Sequence, residues 1–170
     1  VVDYGITGKM VIDQDQLVVP TNKGLSKFCL ADGSETLRVD LPQKGWRNGI
    51  TLTDSGYLLG NEEGILNQVS KDGIVTSQEI GEGKIRHAPL VTTAGVLIHL
   101  QMQSSSGIFV DGELVSTEGS SPAVPLQVGN KVYLGTNTEV LLLNCEQSCN
   151  VIGRTDYQTS GEIVRQYIPE

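Results

Sequence analysis

The stretch GYLLGNEEGILNQVSKDG (56–73) decides how the rest of the chain is read. It holds an apolar triplet, Tyr57-Leu58-Leu59, then a polar turn, Asn61-Glu62-Glu63-Gly64. An apolar run from Ile65 to Val69 follows, and then Asp72-Gly73. Each apolar piece has the length of a short strand, and each break carries turn-forming residues. Asp-Gly between β-prone runs is a strong hairpin signal, because Gly takes a positive φ without steric cost.

The same order recurs on both sides. Leu17-Val18-Val19, Val96-Leu97-Ile98 and Val132-Tyr133-Leu134 repeat the triplet, and successive triplets lie 40, 39 and 36 residues apart. Asp32-Gly33, Asp72-Gly73 and Asp111-Gly112 lie 40 and 39 residues apart, in phase with the triplets. Each unit therefore reads as strand A, turn, strand B (the triplet), turn, strand C, turn, strand D. A small-residue step precedes each strand A: Thr7-Gly8, Asn48-Gly49, Ala88-Pro89 and Ser121-Pro122. Sustained apolar spacing of helical period is missing. Four short antiparallel strands in a period near 40 predict an all-β fold, a propeller-like arc of four four-stranded blades. The units run over about 4–42, 43–83, 84–118 and 119–157 in one domain. A fifth step, Ser160-Gly161, opens a further strand within 158–170, and Val1-Val2-Asp3 reads as the tail of a preceding strand D. That phase predicts a piece of a larger propeller, or an arc whose ends associate.

Composition narrows the function. The 170 residues are 38% apolar and 19% charged, which is a globular balance. The net charge of −8 argues against nucleic-acid partners and against anionic membrane surfaces. No stretch is long enough to span a bilayer as a helix, and VVDYGITGKM at the start does not read as a signal peptide.

Two lines of the repeat, SPAVPLQVGNKVYLGTNTEVLLLNC (121–145) and APLVTTAGVLIHL (88–100), resemble the pyrroloquinoline-quinone-like repeat family of β-propellers. Both share its Ser/Ala-Pro step and Gly-containing turns, and 121–145 carries its "VYLG" strand; 60–73 and 20–33 match more loosely. The family's enzymes bind a quinone with calcium and use seven or eight blades with docking tryptophans. This chain has one Trp, Trp46, and lacks the adjacent cysteine pair that covers the quinone. The resemblance therefore implies a non-enzymatic relative, with no cofactor.

Cys145 and Cys149 flank the position where the other units have Asp-Gly, so they leave strand C and enter strand D as cross-strand neighbours. That geometry predicts a disulfide and an oxidising compartment: extracellular, periplasmic or cell-surface. Cys29 is expected to be a buried small hydrophobe. The loops that enter strand A bring Arg47, Asn48, Arg86, His87, Ser120 and Ser121 toward one mouth of the ring. Arg47, Arg86 and His87 form a basic spot there, suited to a carboxylate or phosphate. The other reading pairs these arginines with Glu79, Glu82 and similar neighbours. His99 reads as a structural strand residue, and Asp13-Gln14-Asp15 as a polar turn; neither indicates a metal.

The function expected from all this is a non-catalytic binding or scaffold module that contacts a protein or small ligand through blade loops and the channel rim. The alternatives are part of a quinoprotein-type dehydrogenase or other propeller enzyme, and a structural repeat domain that associates with itself through its terminal blades.

Overall fold

A computed structural model describes residues 5–42, 49–121 and 123–156. Among the described residues sixteen strands form four antiparallel sheets, and in each the spatial order follows the sequence order. Blade one contains β1 (Val11–Asp13), β2 (Gln16–Thr21), β3 (Gly24–Cys29) and β4 (Glu35–Asp40). Blade two contains β5 (Thr51–Thr53), β6 (Gly56–Leu59), β7 (Ile65–Ser70) and β8 (Val75–Glu79). Blade three contains β9 (Leu90–Thr92), β10 (Gly95–Gln101), β11 (Ser105–Val110) and β12 (Glu113–Gly119). Blade four contains β13 (Leu126–Val128), β14 (Lys131–Gly135), β15 (Glu139–Cys145) and β16 (Cys149–Asp156). The apolar triplets lie in the B strands and the apolar runs in the C strands, as the repeat requires. Among the described residues there is no helix. The further strand expected within 158–170, the tail at 1–3 and Trp46 lie outside the described residues.

The turns show why the period is regular. Asp111 and Gly112 both have positive φ (50° and 86°) and close a two-residue hairpin, with Val110 opposite Glu113. This is the conformation for which Asp-Gly is selected. The equivalent turns of blades one and two are longer, at 30–34 and 71–74, although they carry the same dipeptide. At the other end of blade two, Gly64 has φ +74°, and a Cβ there would run into the carbonyl oxygen of Gly81. The strand C–D pairing shifts register at Lys27/Phe28, Ile108/Phe109 and Leu142/Leu143, so bulges recur at nearby places in three of the four blades. A bulge increases local twist.

The core lies between blades rather than within any one of them. Val18 and Leu25 of blade one meet Tyr57, Leu59 and Val69 of blade two. Leu58 and Leu66, on the opposite face of blade two, meet Ile98 and Leu100 of blade three. Leu97 and Ile108 meet Val132, Leu134, Leu141 and Leu143 of blade four. Strand alternation produces this layering: neighbours in one triplet point into different junctions. Full burial of each such side chain contributes roughly 1.5–3 kcal/mol.

Two of the three junctions also carry a polar clamp. Between blades one and two, buried Asp13 accepts a hydrogen bond from the Tyr57 hydroxyl at 2.6 Å and pairs with Lys71 at 2.8 Å. The bonds from Lys71 and Tyr57 hold the Asp13 carboxyl below its ordinary pKa. Lys27 stands 5.7 Å over the Tyr57 ring. Between blades three and four, Arg154 pairs with buried Glu118 at 2.8 Å. The polar turn expected at 13–15 is thus an A–B turn whose first residue ties two blades together.

The Cys145–Cys149 disulfide is formed, between directly opposed residues at the end of the last C–D hairpin, with Cα atoms 4.0 Å apart. Both sulfurs belong to the core between blades three and four. Cys29 is free and only half-buried, not buried as expected, because it ends β3 where the chain turns out into the exposed 30–34 loop.

Candidate functional site

In a four-strand meander, B–C turns and the linkers that enter strand A fall at one end of the blades, while A–B and C–D turns fall at the other. The first end carries a cleft of about 820 Å³ between blades two and three. Glu62 and Glu63 come from the β6–β7 turn; Glu82, Gly83, Lys84 and Arg86 come from the linker; Gln101, Met102 and Gln103 come from the end of β10 and the turn after it. The sequence builds this wall locally. The Asn61 side-chain oxygen accepts hydrogen bonds from the backbone N–H groups of Glu63 (2.9 Å) and Ile65 (2.8 Å), which fixes the acidic turn. Lys84 exchanges two backbone hydrogen bonds with Gln101, each 2.8 Å, which lays the linker against blade three. Gly64 lets the turn approach the linker at Gly81.

Glu62 is the electrostatic centre. Both of its oxygens accept from Arg86, at 3.2 Å each, and Lys84 stands 3.4 Å away. Burial acts to raise the Glu62 pKa, but the hydrogen bond and charge of Arg86, with Lys84 behind them, outweigh it and hold the carboxyl below its usual range. Arg86 also reaches Gln101 at 3.4 Å. Among the described residues neither Glu63 nor Glu82 has an ion-pair partner. The cleft therefore presents two unengaged carboxylates beside a neutralised arginine.

The residues singled out from the sequence divide between several environments. Arg86 lines the cleft, with its guanidinium engaged by Glu62 rather than by Glu79 or Glu82. His87 is half-buried, and its ring lies 5.2 Å from that of His99, tilted by 34°. Burial lowers the His87 pKa, with Arg86 adding to it and the Ser121 backbone opposing. Ser121 is fully buried: its hydroxyl donates to the Gly135 carbonyl at 2.6 Å, and its N–H donates to Ser106 Oγ at 3.2 Å. The Ser120 carbonyl accepts the Asn137 N–H at 3.0 Å. Arg47 and Asn48 lie outside the described residues. His99 is 3% exposed, neither ring nitrogen has a protein hydrogen-bond partner, and burial followed by the neighbouring His87 pushes its pKa down to about 4.

Comparison with solved structures decides what the sheets amount to. The chain superposes on the WD40 β-propeller domain of Doa1 with a TM-score of 0.64 at 14% identity, over 89% of this chain and 54% of that one. The chain is an arc of β-propeller blades. It is also similar to BamB from Moraxella catarrhalis (TM-score 0.61, 15% identity, 86% of this chain and 50% of that one). A quinohemoprotein alcohol dehydrogenase from Comamonas testosteroni gives 0.66 at 13% identity, over 89% of this chain and 35% of that one. The arc thus spans about half the length of the first two structures and a third of the last. Identities this low speak to fold alone. No family model matches the sequence, and no curated protein matches it.

Among the described residues no group of three or more His, Cys, Asp or Glu is placed to hold a metal. Cys145 and Cys149 are spent on a hairpin at the opposite end of the blades from the cleft.

The acidic turn at 61–64 was visible in the sequence as a turn, but not as a wall of the cleft. The missing signal is positional: B–C turns share an end with the strand A linkers, so Glu62 belonged beside Arg86 from the topology onward.

Proposed function

We infer that this chain is a non-catalytic binding module, and that its rim cleft takes a short cationic segment of a partner protein. The cleft carries the reading: Glu63 and Glu82 are unengaged, and Glu62 is held ionised between Arg86 and Lys84. A carboxylate kept below its usual pKa suits charge recognition and is a poor proton donor near neutrality. The chain's overall charge of −8 draws the same kind of partner from a distance. The pyrroloquinoline-quinone-like repeat pattern supports a non-enzymatic member of that family. The Cys145–Cys149 disulfide supports a secreted, periplasmic or cell-surface setting.

The test is fluorescence anisotropy with short peptides graded from acidic to basic, against the wild type and a Glu63→Gln/Glu82→Gln variant. Basic peptides should bind best, and the variant should lose about three- to tenfold in affinity, the range of two exposed charge contacts. Binding indifferent to peptide charge, or unchanged in the variant, refutes the reading.

A further inference from the structure

Of the arginine–carboxylate forks among the described residues, the one inside the cleft is the loosest. Arg154 meets Glu118 at 2.8 and 2.9 Å, and Arg38 meets Glu35 at 2.6 and 2.9 Å. Those are the lengths of tight charge-assisted hydrogen bonds. Arg86 meets Glu62 at 3.2 Å through both contacts, and its third contact, to Gln101, is 3.4 Å long. The Arg86 side chain is 35% exposed and that of Glu62 only 18%, so the carboxylate is the deeper of the two.

The backbone on both sides of this pair is fixed. Buried Asn61 caps the turn that carries Glu62, and its carbonyl accepts the Ile85 N–H at 2.8 Å. Ile85 is itself buried, and Lys84 is tied to Gln101 by two backbone bonds. Turn and linker thus hold their places while rotation of one side chain, Arg86, uncovers both oxygens of Glu62. A displaced Arg86 keeps the Gln101 side chain within reach. Arg86 presents a planar fork to Glu62, with Nε on one oxygen and Nη2 on the other. Only another guanidinium reproduces both contacts. An ammonium acts as a point charge, and Lys84 at 3.4 Å already supplies one.

We propose that Arg86 stands in for the partner: the cleft takes an arginine-bearing segment whose guanidinium displaces Arg86 from Glu62. Glu63 and Glu82, which line the same cleft, receive the neighbouring basic residues of that segment. This rests on the reading of the cleft as a site for a cationic segment, and it adds which side chain the site selects and what occupies its seat beforehand. The internal pair is a competitor, and it lowers the apparent affinity by the share of molecules in which it is formed. For a partly exposed ion pair that factor is up to about fivefold. A lysine-bearing segment cannot replace the fork, so it gains only from the acidic surroundings.

The experiment is fluorescence anisotropy with two labelled peptides of equal charge, one carrying arginines and the other lysines at the same places. Wild type is compared with Arg86→Lys and Arg86→Gln, and circular dichroism melts check that each variant folds. Arg86→Lys keeps the charge and removes the fork, so it should bind the arginine peptide about threefold more tightly and leave the lysine peptide unchanged. Arg86→Gln also removes a positive charge, so the gains should be about fivefold for the arginine peptide and about twofold for the lysine peptide. Equal gains for the two peptides overturn the proposal, because they mark a change of field rather than a vacated seat. So does an arginine peptide that Arg86→Lys binds no more tightly than the wild type. Failure of the underlying reading has a different mark: wild type and both variants then bind neither peptide, and the proposal falls with it.

Discussion

His99→Leu should make the protein more stable and remove much of its sensitivity to mild acid. The ring is 3% exposed, next to His87, and neither nitrogen has a protein hydrogen-bond partner. Its pKa falls from 6.5 to about 4 in the fold, first through burial and then through the charge of His87. At 1.36 kcal/mol for each tenfold change in proton affinity, that gap is worth roughly 3 kcal/mol. The sign follows from which state binds the proton. Below about pH 6.5 the unfolded chain protonates this imidazole, and the folded chain does not until about pH 4. Stability is therefore complete above 6.5, falls as the pH drops toward 4, and levels off beneath it. His87, shifted the same way, adds to the fall. The lowered carboxyls of Asp13, Glu62 and Glu118 lose their contributions only as pH drops through their own folded values, under the ordinary carboxylate range. Urea titrations at about pH 7 and about pH 4.5 separate the two groups of residues. Leucine is close in volume and leaves no unsatisfied nitrogen, so the variant should gain about 1–2 kcal/mol near neutrality. It should also lose most of the wild-type decline between the two pH values. Parallel declines in wild type and variant would refute the assignment; so would a loss of more than about 2 kcal/mol at neutral pH, which would mean that the ring makes a bond the fold needs.

Three further outcomes follow from the junctions and turns. Tyr57→Phe removes the hydroxyl that donates to buried Asp13 and should cost about 1.5–3 kcal/mol in chemical denaturation, with no change in the secondary-structure spectrum. Gly64→Ala forces a side chain onto φ +74° and against the Gly81 carbonyl; a loss of roughly 2–4 kcal/mol is expected, with weakened binding of basic peptides because the Glu62–Glu63 turn is displaced. Reducing the Cys145–Cys149 disulfide opens a ring of only five residues, so the chain-entropy cost is about 2 kcal/mol and the melting temperature should drop by about 4–8 °C.

The blades were legible in the sequence because two independent markers, the triplets and Asp-Gly, share one period, and strand alternation turns each triplet into two opposed faces. The disulfide was legible for the same reason: Cys145 and Cys149 replace a turn whose register the other units define. The cleft was harder. Glu62 reads as one polar residue in a turn, and only the packing of the linker at 82–86 beside it gives that turn a partner. Asp13 was equally opaque. An aspartate in an A–B turn looks solvated until Tyr57 and Lys71, 44 and 58 residues further along, are folded over it. Cys29 shows the converse error: an apolar neighbourhood in sequence says little about a strand's last residue, where the backbone is already leaving the sheet.

Because each described strand pairs only with its neighbours in sequence, each of these sheets can be finished as soon as its own residues have left the ribosome. Among the described strands, none later in the chain has to thread back to complete an earlier sheet, which keeps loop-closure entropy small and favours rapid, stepwise folding during synthesis. The nascent protein then grows by accretion. A newly made meander always emerges next to a sticky surface left by its predecessor, so the direction of translation is also the direction in which the architecture is laid down.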